Sequence, residues 1–102
     1  MDYLDNYYYK LNNNDENDTQ RAARKAIGAI LPALFENELT KKQEMCLKYK
    51  YIYGKTQSEI AKLLKVSQPT VSRHIARGKS IVNDKLKYCS AAILCALNEY
   101  DK

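Results

Sequence analysis

The stretch SEIAKLLKVSQPTVSRHIARGK, residues 58–79, changes character abruptly at Lys65-Val66-Ser67. One amphipathic helical pattern stops there and another starts at once, which leaves room for only a tight turn. Before the turn, Thr56 is placed to cap a helix carrying Ile60, Ala61, Leu63 and Leu64, with Glu59 three residues later completing a capping-box pattern. After it, Ser67 is a good N-cap for a helix that tolerates Pro69 in its first turn. Two helices joined this closely must cross steeply. The crossing needs a small residue at the contact, which Ala61 supplies, and apolar residues to close the core, which Ile60, Leu64, Val66 and Val71 supply. This is the helix-turn-helix pattern, in which the second helix enters the DNA major groove.

An ordinary corner between two helices meets the same spacing but leaves the polar residues unexplained. Val71, Ile75 and Gly78 face inward, which turns Gln68, Pro69, Ser72, Arg73 and Ala76 outward. Short polar side chains mixed with arginine suit close approach to base edges.

The flanking sequence reads as helix throughout, with no strand pattern. From Thr19, which can cap, Ala23, Ile27, Ile30, Leu31 and Leu34 recur at helical steps, and Pro32 is expected to kink or end that helix. Thr40 and Gln43 form a second capping-box pattern. They open a helix with Gln43, Cys46, Leu47, Lys50 and Tyr51 on one stripe, expected to end at Gly54. Beyond the turn pattern an apolar stripe runs on through Val71, Ile75, Gly78, Val82, Leu86, Cys89, Ile93 and Ala96. Two uses for this C-terminal continuation stay open: folding back on the Ala23–Leu34 helix, or pairing with a second copy. Pairing would set two reading helices roughly 34 Å apart, one turn of DNA.

The chain has 102 residues, 45% of them hydrophobic, enough for one small domain. Residues 1–18 read as an acidic flexible tail with at most a helical turn near Tyr3–Leu11. Residues 19–102 read as a single all-α domain, a small helical bundle with its helix-turn-helix unit at 56–79 and a long C-terminal helix extension at 80–99. The net charge of +5 is unevenly shared. Asp2, Asp5, Asp15, Glu16 and Asp18 against Lys10 give −4 up to residue 18, leaving +9 on the remainder. A folded part this basic suits a polyanionic partner.

The longest apolar runs, 26–31 and 91–97, fall far short of the roughly 20 residues a membrane span needs. A cytoplasmic protein is expected. Cys46, Cys89 and Cys95 have no metal-ligand spacing and read as small buried hydrophobes, and no cofactor motif is present. His74 reads as a partly buried packing residue, Tyr51 as a core residue, and Tyr49 and Tyr53 as rim residues. Without a carboxylate pair, phosphate loop or nucleophile elbow, no enzyme is expected.

As a whole, residues 39–78, LTKKQEMCLKYKYIYGKTQSEIAKLLKVSQPTVSRHIARG, resemble region four of the bacterial sigma factors. Leu39, Thr40, Gln43, Leu47, Tyr51, Gly54, Thr56, Glu59, Ile60, Ala61, Leu64, Val66, Ser67, Thr70, Val71 and Arg73 stand where that pattern wants them. The resemblance implies recognition of a promoter or operator element in double-stranded DNA by the helix from Gln68 onward. It implies base-contacting roles for Gln68, Ser72 and Arg73, and phosphate-contacting roles for Thr56, Gln57, Thr70 and Arg77. Region four also grips RNA polymerase, so an interaction module that contacts polymerase or a sigma partner, with weak DNA contact, is the alternative expectation. The chain has no room for the other sigma regions. It therefore reads as a solitary module, a transcription regulator of a bacterium, plasmid or phage.

Overall fold

A computed structural model describes residues 2–11 and 17–100, with side chains described throughout except at residue 19 and residues 90–100. Five helices follow one another: α1 (Tyr3–Leu11), α2 (Asp18–Glu38), α3 (Lys41–Tyr51), α4 (Gln57–Leu64) and α5 (Gln68–Tyr100). Among the described residues there is no strand.

Each start has a local cause. Asn17 caps α2: its side chain accepts from the Gln20 amide at 2.8 Å while the Gln20 side chain accepts from the Asn17 amide at 3.1 Å. The cap therefore lies at Asn17 and not at Thr19, whose side chain is outside those described. Thr40 and Gln43 form the expected reciprocal pair at the start of α3. Thr56 caps α4 by accepting from the Glu59 amide, but the return bond differs from the expected box. The Glu59 carboxylate accepts from the Thr56 hydroxyl rather than from the backbone.

Two ends depart from the sequence reading. Pro32 neither ends α2 nor interrupts its assignment, which continues to Glu38. The missing proline N–H removes one bond, that to the Gly28 carbonyl. Leu31 and Phe35 on either side are 4% and 3% exposed, and their burial holds the helix across the gap. Helix α3 ends at Tyr51, and Gly54 supplies the left-handed residue beyond it at φ +65°, with the Lys55 amide bonded back to the Tyr49 carbonyl at 2.9 Å.

The core is gathered along one helix. Val71, Ile75, Val82 and Leu86 of α5 are all essentially buried, and every other helix packs against α5. Leu31 and Phe35 come from α2, Cys46 and Leu47 from α3, and Ile60 and Ala61 from α4. Gly78 lets α3 approach closely, because a Cβ there would stand 3.0 Å from a Leu47 methyl. The extension at 80–99 is thus no separate element but the same helix that begins at Gln68. It packs on α2, as the fold-back expectation has it; the side chains of Ile93 and Ala96 lie outside those described.

Residues 3–11, where the sequence reading placed a helical turn within the acidic tail, are helical over that whole span. They form α1, whose Leu4 is fully buried and whose polar side chains bond to α3 and α5. The docking itself was not read from the sequence, because Leu4 is the one fully buried residue among the partly buried Tyr3, Tyr7 and Tyr8. Residues 12–16 of the expected tail lie outside the described residues. Cys46 is buried as expected, whereas Cys89 is only half-buried. No described helix is long and apolar enough to cross a membrane.

Candidate nucleic-acid interface

The turn between α4 and α5 is built by Lys65, which adopts a left-handed conformation at φ 57°. The Lys65 amide closes α4 on the Ala61 carbonyl, and the Val66 amide bonds the same carbonyl at 3.1 Å. This reverses the chain within three residues. Ser67 then starts α5: its side-chain oxygen accepts from the Thr70 amide at 3.3 Å and lies 2.7 Å from the Thr70 hydroxyl.

The outward face of α5 follows from its inward one. With Val71 and Ile75 buried, Gln68, Pro69, Ser72, Arg73, Ala76 and Arg77 are all exposed. Gln68 and Ser72 are four residues apart and share one stripe, as do Arg73 and Arg77 beside it. These residues therefore form a single exposed surface at the start of the helix. Thr70 is half-buried on the flank, and its hydroxyl is already engaged by Ser67. Thr56 is exposed at the tip of α4, while Gln57 is half-buried in its first turn. The seven expected contact residues thus fall into two groups, five on α5 and two at the start of α4. His74 is half-buried, as expected for packing, and Tyr53 is exposed at the rim, its ring 5.8 Å from that of Tyr49.

Charge favours an anion over this surface. From Lys55 to Lys79 the chain carries Lys55, Lys62, Lys65, Arg73, Arg77 and Lys79 against Glu59 alone. Glu59 is partly neutralised by Lys55 at 3.9 Å. The exposed backbone amides at the start of α4 add a partial positive charge.

Residues 37–81 match the family model described as Sigma-70, region 4. This segment is a sigma region 4-like domain. It takes in the last turn of α2, all of α3 and α4 and the first part of α5, so the matched unit contains the whole surface just described. A region 4-like domain is a DNA-binding helix-turn-helix module. Helix α1, most of α2 and the distal part of α5 lie outside the matched segment. Comparison of the chain with curated proteins and with solved structures gives no match. Among the described residues no cluster of His, Cys, Asp and Glu is arranged to hold a metal ion.

The structure adds a cluster that sequence reasoning missed. Lys79 and Asn83 of α5 and Tyr51 of α3 converge on Asp2 and Asp5 of α1. Lys79 Nζ lies 2.7 Å from Asp2 and 2.9 Å from Asp5, Asn83 donates to Asp2 at 3.2 Å, and the Tyr51 hydroxyl donates to Asp5. Burial works against the charged form of Asp2, yet the bonds from Lys79, Asp5 and Asn83 together outweigh it and hold the carboxyl below its ordinary range. Burial and the Asp5 carboxylate raise the Tyr51 hydroxyl above the usual phenol value. Lys79 is likewise raised, because the two carboxylates outweigh its desolvation. In the sequence the only trace was a lysine and an asparagine four apart beside the apolar stripe.

Proposed function

We propose that the chain is a sequence-specific DNA-binding transcription regulator that reads the major groove with the start of α5. One observation carries this reading: Gln68, Ser72 and Arg73 are exposed together in the first turns of α5, while Val71 and Ile75 of the same turns are buried. Gln68, Ser72 and Arg73 contact base edges, Arg73 being suited to the paired acceptors of guanine. Thr56, Gln57, Thr70 and Arg77 face phosphates and fix register. Thr56 and Gln57 do so through the free amides of the α4 start. The protein acts in the cytoplasm of a bacterium, or is carried by a plasmid or phage.

A second reading has its own observation. Met45, Tyr49, Tyr53 and Leu63 line a hollow of about 360 Å³ edged by Lys48 and Lys55, with Tyr53 64% and Leu63 52% exposed. Such an apolar patch on a small domain suits a protein partner, and RNA polymerase or a sigma factor is the partner this reading assigns. A homodimer joined through the distal part of α5 is compatible with the first reading.

Selection of bound sequences from a random duplex pool, with the purified chain alone at near-physiological salt, separates these. An asymmetric consensus supports monomeric reading, and a palindromic one supports the dimer. No enrichment transfers the function to the polymerase-binding patch.

A further inference from the structure

Lys79 and Asn83 follow Ser72 on α5 by seven and eleven residues. At 100° per residue they lie within about 20° of Ser72 around the helix, and about 10 and 16 Å further along it. They therefore prolong the face that reads DNA. Helix α1 covers that face at this point, and Lys79 is only 21% exposed beneath it. Three donors from two helices (the Lys79 ammonium, the Asn83 amide and the Tyr51 hydroxyl) meet there on the carboxylates of Asp2 and Asp5.

We infer that Lys79, Asn83 and Tyr51 form an oxyanion-binding site on the reading helix, which the α1 carboxylates fill within the free chain and a DNA phosphate fills in the complex. The inference rests on the DNA-reading function proposed above. Phosphate oxygens present the same acceptors as carboxylates to a charged donor cluster. The major groove is about 12 Å wide, so a helix with Ser72 at the bases brings a residue about 10 Å further along to the bordering backbone.

The covering helix is suited to leaving. It has nine residues, too few to be stable alone, and Leu4 is its only buried side chain. Tyr3, Tyr7 and Tyr8 pack on the core while staying only partly buried, Tyr8 stacking on Tyr51 at 4.9 Å, and the helix's other ties are polar. While α1 is docked, two carboxylates neutralise Lys79 and repel the duplex. DNA binding is therefore restrained by the chain's own N-terminus.

The test uses the full chain and a labelled 30-base-pair mixed-sequence duplex, with affinity followed across a salt series. Asp2→Asn with Asp5→Asn should bind roughly five-fold tighter, with the log–log salt dependence steeper by about one unit. Adding Lys79→Gln should abolish that gain. An unchanged affinity overturns the inference, and so does an equal gain in the Lys79→Gln background, which reduces it to loss of general repulsion. In the unaltered chain, duplex should accelerate tryptic cleavage after Lys10, whatever the folding of the variants; protection of Lys10 by duplex overturns the inference. A chain that binds no duplex overturns the DNA-reading function as well, whereas firm binding with silent aspartate changes overturns this inference alone.

Discussion

Lys79 stands 2.7 Å from Asp2, joining residues 77 positions apart and fastening the first helix of the chain to the last. The bond sets a pH window for docking. Asp2 has a lowered pKa, so its contribution is complete above the ordinary carboxylate value of about 4 and is lost as pH falls through the lower folded value. Lys79 and Tyr51 are raised, so theirs are complete below about 10 and are lost as pH rises through the higher folded values. Protection of the Leu4 amide, whose N–H donates to Asn83 at 2.9 Å, should be greatest between those limits once its exchange is divided by the intrinsic rate at each pH. Protection that does not fall below pH 4 would count against the ion pair.

Arg73 and Arg77 are four residues apart on one exposed stripe, yet their replacement should read differently. Arg73→Ala should cost about 1–3 kcal/mol on the preferred site and little on random duplex. Arg77→Ala should weaken both alike and flatten the salt dependence by about one unit. Parallel titrations on the two duplexes distinguish the roles, and equal losses from Arg73→Ala would remove it from the base-reading set.

Ser67 holds the start of α5. Ser67→Ala removes the acceptor of the Thr70 amide and should lower stability by about 1 kcal/mol. Urea unfolding would register this as a lower midpoint with an unchanged slope.

Lys65 pays a conformational penalty at φ 57°, a region costly to residues with a Cβ. Lys65→Gly should raise stability by up to about 1 kcal/mol, the relief being partly offset by a more flexible unfolded chain. Lys65→Val should lower stability, since a branched Cβ fits that conformation worst. A thermal melt of the three proteins orders them, and a glycine variant that melts first would contradict the account.

The helix-turn-helix was legible because its determinants are local. Thr40 with Gln43, Thr56, and Ser67 each act on amides within three residues, and the alternation of Val71 and Ile75 with exposed neighbours is fixed by helical periodicity. The left-handed turn at Lys65 carried no glycine to announce it. Pro32 does not end α2, because the burial of Leu31 and Phe35 around it, which the sequence does not show, holds the helix past the lost N–H. Helix α1 was hidden for a different reason. Its polar residues find partners at positions 51, 79 and 83, and no local pattern encodes a bond across that span.

Helix α5 runs unbroken for 33 residues from Gln68, at the helix-turn-helix, to Tyr100. It therefore acts as a drive shaft. Whatever is attached to its far end keeps a fixed bearing relative to the groove, and each residue inserted beyond Leu86 would swing that attachment by about 100° while moving it only about 1.5 Å outward.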